Sequence, residues 1–135
     1  MANNETEQIF IEGLRYLEAK QLDKAEQFIS RVVSLDPNRA INHYFLAACL
    51  FEQERFGDAE KAARNAVRLD AKDPENIMFL GRTLLRQDKL DEAEKCFKQG
   101  SMMDPHNQQY YSEWQLVTQC EPFMSRLAAQ RGAKA

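Results

Sequence analysis

Three eight-residue segments of this chain are variants of one another at a constant spacing. Gln21-Leu-Asp-Lys-Ala-Glu-Gln-Phe28 recurs as Arg55-Phe-Gly-Asp-Ala-Glu-Lys-Ala62 and as Lys89-Leu-Asp-Glu-Ala-Glu-Lys-Cys96, each copy 34 residues after the last. A second segment keeps the same step: Leu35-Asp-Pro-Asn38, Leu69-Asp-Ala-Lys72 and Met103-Asp-Pro-His106. Repetition at a fixed period means one supersecondary unit stacked on its own copies, because a single unit cannot bury its apolar face alone.

Within each repeat, apolar residues recur at helical spacing in two runs, here called A and B. In the first repeat Ile9, Gly13, Tyr16 and Leu17 mark A, and Ala25, Ile29, Val32 and Leu35 mark B. The second gives Leu46, Ala47 and Leu50, then Ala59, Ala63, Ala66 and Leu69; the third gives Ile77, Leu80, Gly81 and Leu84, then Ala93, Phe97, Gly100 and Met103. Small residues sit at two registered places, Gly13, Ala47 and Gly81 in A and Ala25, Ala59 and Ala93 in B. A mid-helix glycine costs roughly 0.5–1 kcal/mol relative to alanine, so its use at one register twice implies close approach of A and B. The Asp-Pro pairs end the first and third repeats, since proline cannot continue a helix.

At this point the chain resembles the tetratricopeptide repeat family, whose 34-residue pattern runs Trp-x-x-Leu-Gly-x-x-Tyr, then Ala-x-x-x-Phe, then Pro. The first repeat matches with Gly13, Tyr16, Ala25 and Pro37, the second with Leu46, Ala59 and Ala66, and the third with Leu80, Gly81, Ala93, Phe97 and Pro105. The resemblance implies an all-α fold, a right-handed α-solenoid of three helix pairs over 6–39, 40–73 and 74–107. A capping helix follows over 108–121, where Tyr111, Trp114 and Val117 continue the register. Pro122 then breaks the chain before an extension over 122–135, with a short helix at Phe123–Gln130. The whole of 1–135 is expected to be one domain.

By the same resemblance, the A helices line a concave groove that holds peptides or partner helices. The residues at groove register are Phe10, Leu14 and Leu17, then Tyr44, Phe45, Ala48 and Phe51, then Met78, Phe79, Arg82, Leu85 and Arg86. An apolar stripe of this size beside two arginines suits an apolar or amphipathic segment followed by an acid. Family members that bind the acidic tails of heat-shock chaperones use a clamp of Lys, Asn and Arg. The matching places here hold Phe10, Leu14, Phe45, Glu75 and Phe79, so that activity is not expected.

Other classes find little support. The net charge is −3 with no clustered Lys or Arg, which argues against nucleic acid as partner. Cys49, Cys96 and Cys120 are odd in number and widely spaced, which suits a reducing compartment. His43 and His106 stand apart from any ligand spacing, so no metal or other cofactor is expected. With no glycine-rich phosphate loop and no Ser-His-Asp arrangement, the chain reads as non-catalytic. No run approaches the roughly 20 apolar residues of a membrane span, and the cytoplasm is the expected location. The leading function is an adaptor or scaffold holding a protein or peptide partner. The alternative is a chaperone for an exported client, since small acidic three-repeat chaperones of type III secretion translocators look similar. A second copy of the chain, or its own C-terminal segment, competes for the groove.

Overall fold

The computed structural model describes residues 3–119 and, beyond them, Ser125, Ala128, Ala129, Arg131 and Gly132. Cys120 and most of the Phe123–Gln130 helix expected from sequence lie outside the described residues. Among the described residues seven continuous helices run in order: α1 (Asn3–Glu18), α2 (Leu22–Leu35), α3 (Ala40–Glu52), α4 (Phe56–Leu69), α5 (Pro74–Arg86), α6 (Leu90–Met103) and α7 (Gln108–Gln119). They fall into two compact units, Met1–Asp70 with α1–α4 and Ala71–Ala135 with α5–α7.

The 34-residue period is visible in the backbone itself. Helices α1, α3 and α5 each end on a left-handed residue, Lys20, Glu54 and Asp88, with φ of 61°, 60° and 60°. Each makes the same pair of bonds: at the first, Lys20 N–H donates to Leu17 O and Gln21 N–H to Tyr16 O, at 3.1 and 2.9 Å. The pairs at Glu54/Arg55 and Asp88/Lys89 are equivalent. These are Schellman closures, which satisfy carbonyls that the helix end leaves open. The turns reverse the chain within a few residues, which sets A against B. At the other end of each pair, Asp36, Asp70 and Asp104 repeat one geometry, with N–H groups bonded to Val32, Ala66 and Gly100. Helix α5 starts on Asp73, whose side chain accepts from Glu75 N–H at 3.0 Å, with Pro74 in the first turn. Helix α7 starts one period later on Asn107, whose Oδ1 accepts from Tyr110 N–H at 3.2 Å.

The glycines show why A and B need small residues. A Cβ on Gly13 would lie 2.8 Å from Ile29 Cγ1, and one on Gly81 would lie 3.0 Å from Cys96 Cβ. Both meet helix B of their own repeat. In the N-terminal unit Ala25, Ile29 and Cys49 form a buried cluster on which Tyr16, Leu17, Phe45 and Leu46 pack. Helix α4 contributes only alanines to its buried face: Ala59, Ala62, Ala63 and Ala66. The C-terminal unit instead buries large groups, with Phe97 and Leu84 almost fully enclosed. At one register place the chain thus carries Ile29, Ala63 and Phe97, so the same backbone plan is filled to different depths. Burying a side chain such as Phe97 contributes roughly 1.5–3 kcal/mol.

Candidate binding surface

On α1 and α3 the groove-register residues are all partly exposed. Phe10 meets Phe45 edge-on, with ring centroids 5.5 Å apart at 72°, and Tyr44 meets Phe45 at 5.2 Å and 87°. Phe51 packs edge-on against Phe56 of α4 at 5.2 Å. Edge-to-face contacts of this kind hold rings in defined relative orientations. Phe45 and Leu17 also rest on the buried cluster beneath, so they serve core and surface together. Leu14 and Ala48 are half-buried beside them.

A pocket of about 590 Å³ opens beside Phe10. Its apolar wall is Phe10, Ile11, Val32 and Leu35, and its polar wall is Thr6, Glu7, Asp36, Arg39 and Asn42. Ile11 and Leu35 are 45% and 55% exposed, although Leu35 sits at the apolar helical spacing of α2. Two buried polar side chains brace the turn between α2 and α3. Asn42 Nδ2 donates to Asp36 O at 3.0 Å, and His43 Nε2 lies 2.7 Å from Pro37 O. A carbonyl only accepts, so that ring nitrogen carries the proton. Of the pocket residues, the groove register singled out Phe10 alone. Asn42 and Asn76 do repeat at the 34-residue step, and both are buried; that identity was the signal available for the rest.

The C-terminal unit treats the same register differently. Met78, expected on the groove, is 0% exposed; its thioether fills the space over Gly100, with Sδ 2.5 Å from where a Cβ would stand. Phe79 is also buried, at 9%. Leu85, together with Val117 of α7, packs on buried Leu90. Arg86 is exposed. Arg82, expected to meet a ligand's acid, already holds two carboxylates of its own chain. Its Nε and one terminal nitrogen donate to Glu113 at 2.7 and 2.9 Å, and the other terminal nitrogen donates to Glu75 at 2.9 Å. Burial alone would depress the Arg82 guanidinium, but the bonds to Glu113 and Glu75 outweigh it and hold it above its ordinary value. Met78 and Arg82 therefore line no free surface.

Helix α7 supplies the rest of this arrangement. Tyr110 is buried, and its hydroxyl donates to Glu75 Oε1 at 2.8 Å. Desolvation, then the Glu75 bond, push this phenol above its ordinary value. The sequence register placed Tyr111 as the successor of core residue Ile77, yet Tyr111 is 46% exposed and Tyr110 faces inward. Trp114 is half-buried and meets Tyr111 edge-on at 6.2 Å; its enclosed Nε1 has no hydrogen-bond partner among the described residues.

Chemistry beyond binding has few candidates. Cys49 is buried, its Sγ donating to Leu22 O at 3.4 Å, and burial raises its thiol above the ordinary value. Such a thiol is little ionised and a poor nucleophile. Among the described residues no group of three His, Cys, Asp or Glu is arranged to hold a metal, and no helix is long and apolar enough to cross a membrane.

No curated protein sequence matches the chain. Among solved structures, the first TPR domain of human RPAP3 superposes with a TM-score of 0.80 at 20% identity, covering 94% of this chain and 95% of that one. The first TPR of Spaghetti (RPAP3), bound to the HSP90 peptide SRMEEVD, gives 0.80 at 21%, covering 86% and 92%. The Yersinia enterocolitica type III secretion chaperone SycD, in complex with a peptide of the translocator YopD, gives 0.75 at 18%, covering 98% and 96%. At these identities the likeness shows the fold: all-α, of the tetratricopeptide type. The family model described as anaphase-promoting complex, cyclosome, subunit 3 matches residues 18–100. That match covers more than half of the chain, from the last residue of α1 into α6, and the chain belongs to the tetratricopeptide repeat family.

Proposed function

We propose that the chain is a non-catalytic protein-interaction module that holds an apolar or amphipathic segment of a partner on the α1/α3 face. The observation that carries this reading is the half-exposed array Phe10, Tyr44, Phe45 and Phe51, continuous through Phe10 with the open pocket. Apolar burial on such a face supplies roughly 25 cal/mol per Å² before the costs of association. Acid-tail binding of the kind seen in the HSP90-peptide complex is not part of this proposal, because Phe10, Leu14 and Phe45 donate no side-chain hydrogen bonds.

The finer role is that of an adaptor within a complex. A chaperone for an exported client is the second reading, favoured by the match to the secretion chaperone SycD over nearly the whole of both chains. Pull-down with mass spectrometry separates them: subunits of one assembly support the adaptor, whereas a single secreted protein supports the chaperone. With the partner in hand, Tyr44→Ala or Phe51→Ala should weaken binding at least about tenfold, with the helical circular dichroism unchanged. The surface assignment fails if these variants bind normally while Lys61→Glu or Arg68→Glu on α4 abolishes binding.

A further inference from the structure

The repeat makes one part of the chain a reference for another. Two periods separate Asn42 from Tyr110, Glu7 from Glu75, Phe10 from Met78, and Val32 from Gly100. In the C-terminal unit this constellation is filled. Tyr110 lies buried with its hydroxyl on Glu75 at 2.8 Å, and Met78 occupies the space over Gly100. In the N-terminal unit the aromatic ring is missing. Asn42 is too short to replace it and turns its amide to Asp36 O. What remains is the pocket of about 590 Å³, with Glu7 on its wall. The Glu7 side chain makes no hydrogen bond or ion pair among the described residues, and neither does that of Arg39, which also lines the pocket.

We propose that this pocket receives a tyrosine side chain from a segment of another protein, its phenol donating to Glu7 as Tyr110 donates to Glu75. The proposal rests on the binding reading above and names the partner's chemistry. The volume falls within the roughly 300–1,000 Å³ of small-ligand sites, room for a phenol ring and the backbone that carries it. Phe10, Ile11 and Leu35 offer the ring an apolar wall. A carboxylate only accepts hydrogen bonds, so a neutral phenol satisfies Glu7 where a phenylalanine ring would desolvate it without return. Arg39, free at the rim, suits an acidic residue next to that tyrosine. The rival occupant is a second copy of this chain. Of the tyrosines here, Tyr16 packs on Phe28, Tyr44 packs on Phe45 and Tyr110 is buried, which leaves Tyr111 as the exposed ring it could offer.

The test needs no knowledge of the partner. The full chain, labelled with nitrogen-15, is titrated with N-acetyl-tyrosine methylamide and with its phenylalanine counterpart, following amide shifts by NMR. Saturable shifts at Phe10, Ile11, Leu35 and Arg39 are expected, with tyrosine binding about tenfold tighter than phenylalanine. Glu7→Gln should shrink that preference to about twofold, and Asn42→Tyr, filling the pocket from within, should abolish the shifts. The proposal is overturned if the two probes bind alike, if the shifts map elsewhere, or if Glu7→Gln keeps the preference. It is equally overturned if the same amides shift with protein concentration alone and Tyr111→Ser prevents this, which assigns the pocket to a second copy. Loss of partner binding in Tyr44→Ala tests the wider surface separately, so either idea can fail without the other.

Discussion

Helices α1 and α3 of the N-terminal unit and α5 of the C-terminal unit share one register, yet their outward faces end differently. Phe10, Tyr44 and Phe51 remain half-exposed, whereas Met78 is enclosed and Arg82 is held by Glu75 and Glu113. Part of the difference traces to α7, whose Glu113 holds Arg82, whereas Met78 is enclosed over Gly100 of α6. The last repeat of a solenoid has no successor to cover it, and a specialised end must do so. Here α7 does it with side chains that enter the register places of its neighbour: Tyr110 over Glu75, Glu113 on Arg82, Val117 on Leu90. In the C-terminal unit α7 thus engages Arg82 and α6 encloses Met78, while Arg86 stays exposed. The half-exposed rings lie on α1 and α3, the face proposed above for a partner.

The comparison breaks most visibly at Tyr110. Tyr110→Asn copies the residue found at position 42, and losing a buried ring and its bond to Glu75 should cost about 3 kcal/mol in a thermal melt. If the two places are equivalent, the variant also gains a second set of tyrosine-probe shifts on α5. Alkali offers a milder test of the same contact. Because the folded phenol holds its proton more tightly than the unfolded one, its contribution is full below the ordinary value of 10.0 and is lost as the pH rises through and above it. The stability gap between wild type and Tyr110→Phe should narrow above pH 10.0 and stay constant below it. A gap that widens with pH would contradict the contact.

Arg82 gives the next largest effect. Arg82→Leu copies Leu14 and leaves Glu75 and Glu113 facing each other without a cation. Removing one partner of a buried network costs roughly 3–5 kcal/mol, but these side chains are a quarter to a third exposed, so about 1–3 kcal/mol is expected. Adding Glu113→Gln should recover part of the loss. Urea unfolding of the single and double variants measures both, and an unchanged midpoint in Arg82→Leu would mean that α7 is not held through this residue.

The fold was legible because its determinants are periodic. Gly13 and Gly81, the alanines Ala25, Ala59 and Ala93, and the closing aspartates Asp36, Asp70 and Asp104 each state a local need at a fixed step, and steric and capping rules translate them directly. For the candidate surface, register alone says less. Register assigns a face to Met78 and Arg82 but cannot tell whether a later helix covers that face. The Glu113 contact joins residues 31 apart through side chains alone. Tyr110 was missed for a related reason: Tyr111 fits the apolar period better, and only the bond to Glu75 explains why the chain turns the other ring inward. Glu7 and Glu75, the same residue two periods apart, were in the sequence throughout; their significance lies in one having a phenol and the other not.

The smallest expected effect tests whether the two units share more than side-chain pattern. Lys20 closes α1 and Asp88 closes α5, both in the left-handed region. A non-glycine residue there is strained by roughly 1–2 kcal/mol, and glycine removes that strain while giving back about 0.5–1 kcal/mol of unfolded-chain entropy. Lys20→Gly also gives up an ion pair to Glu52 at 3.3 Å, in which Lys20 is 70% exposed and which is therefore worth little. The net gain should be about 0.5–1 kcal/mol. Asp88→Gly should gain about half as much, because aspartate tolerates this conformation better than lysine does. Chemical denaturation of the two variants side by side measures the order. Equal gains would mean that the side chain makes no difference at this turn. A loss in both would mean that these closures do not carry the strain their backbone angles imply, and the reading of the two units as one plan filled in two ways would lose its backbone support.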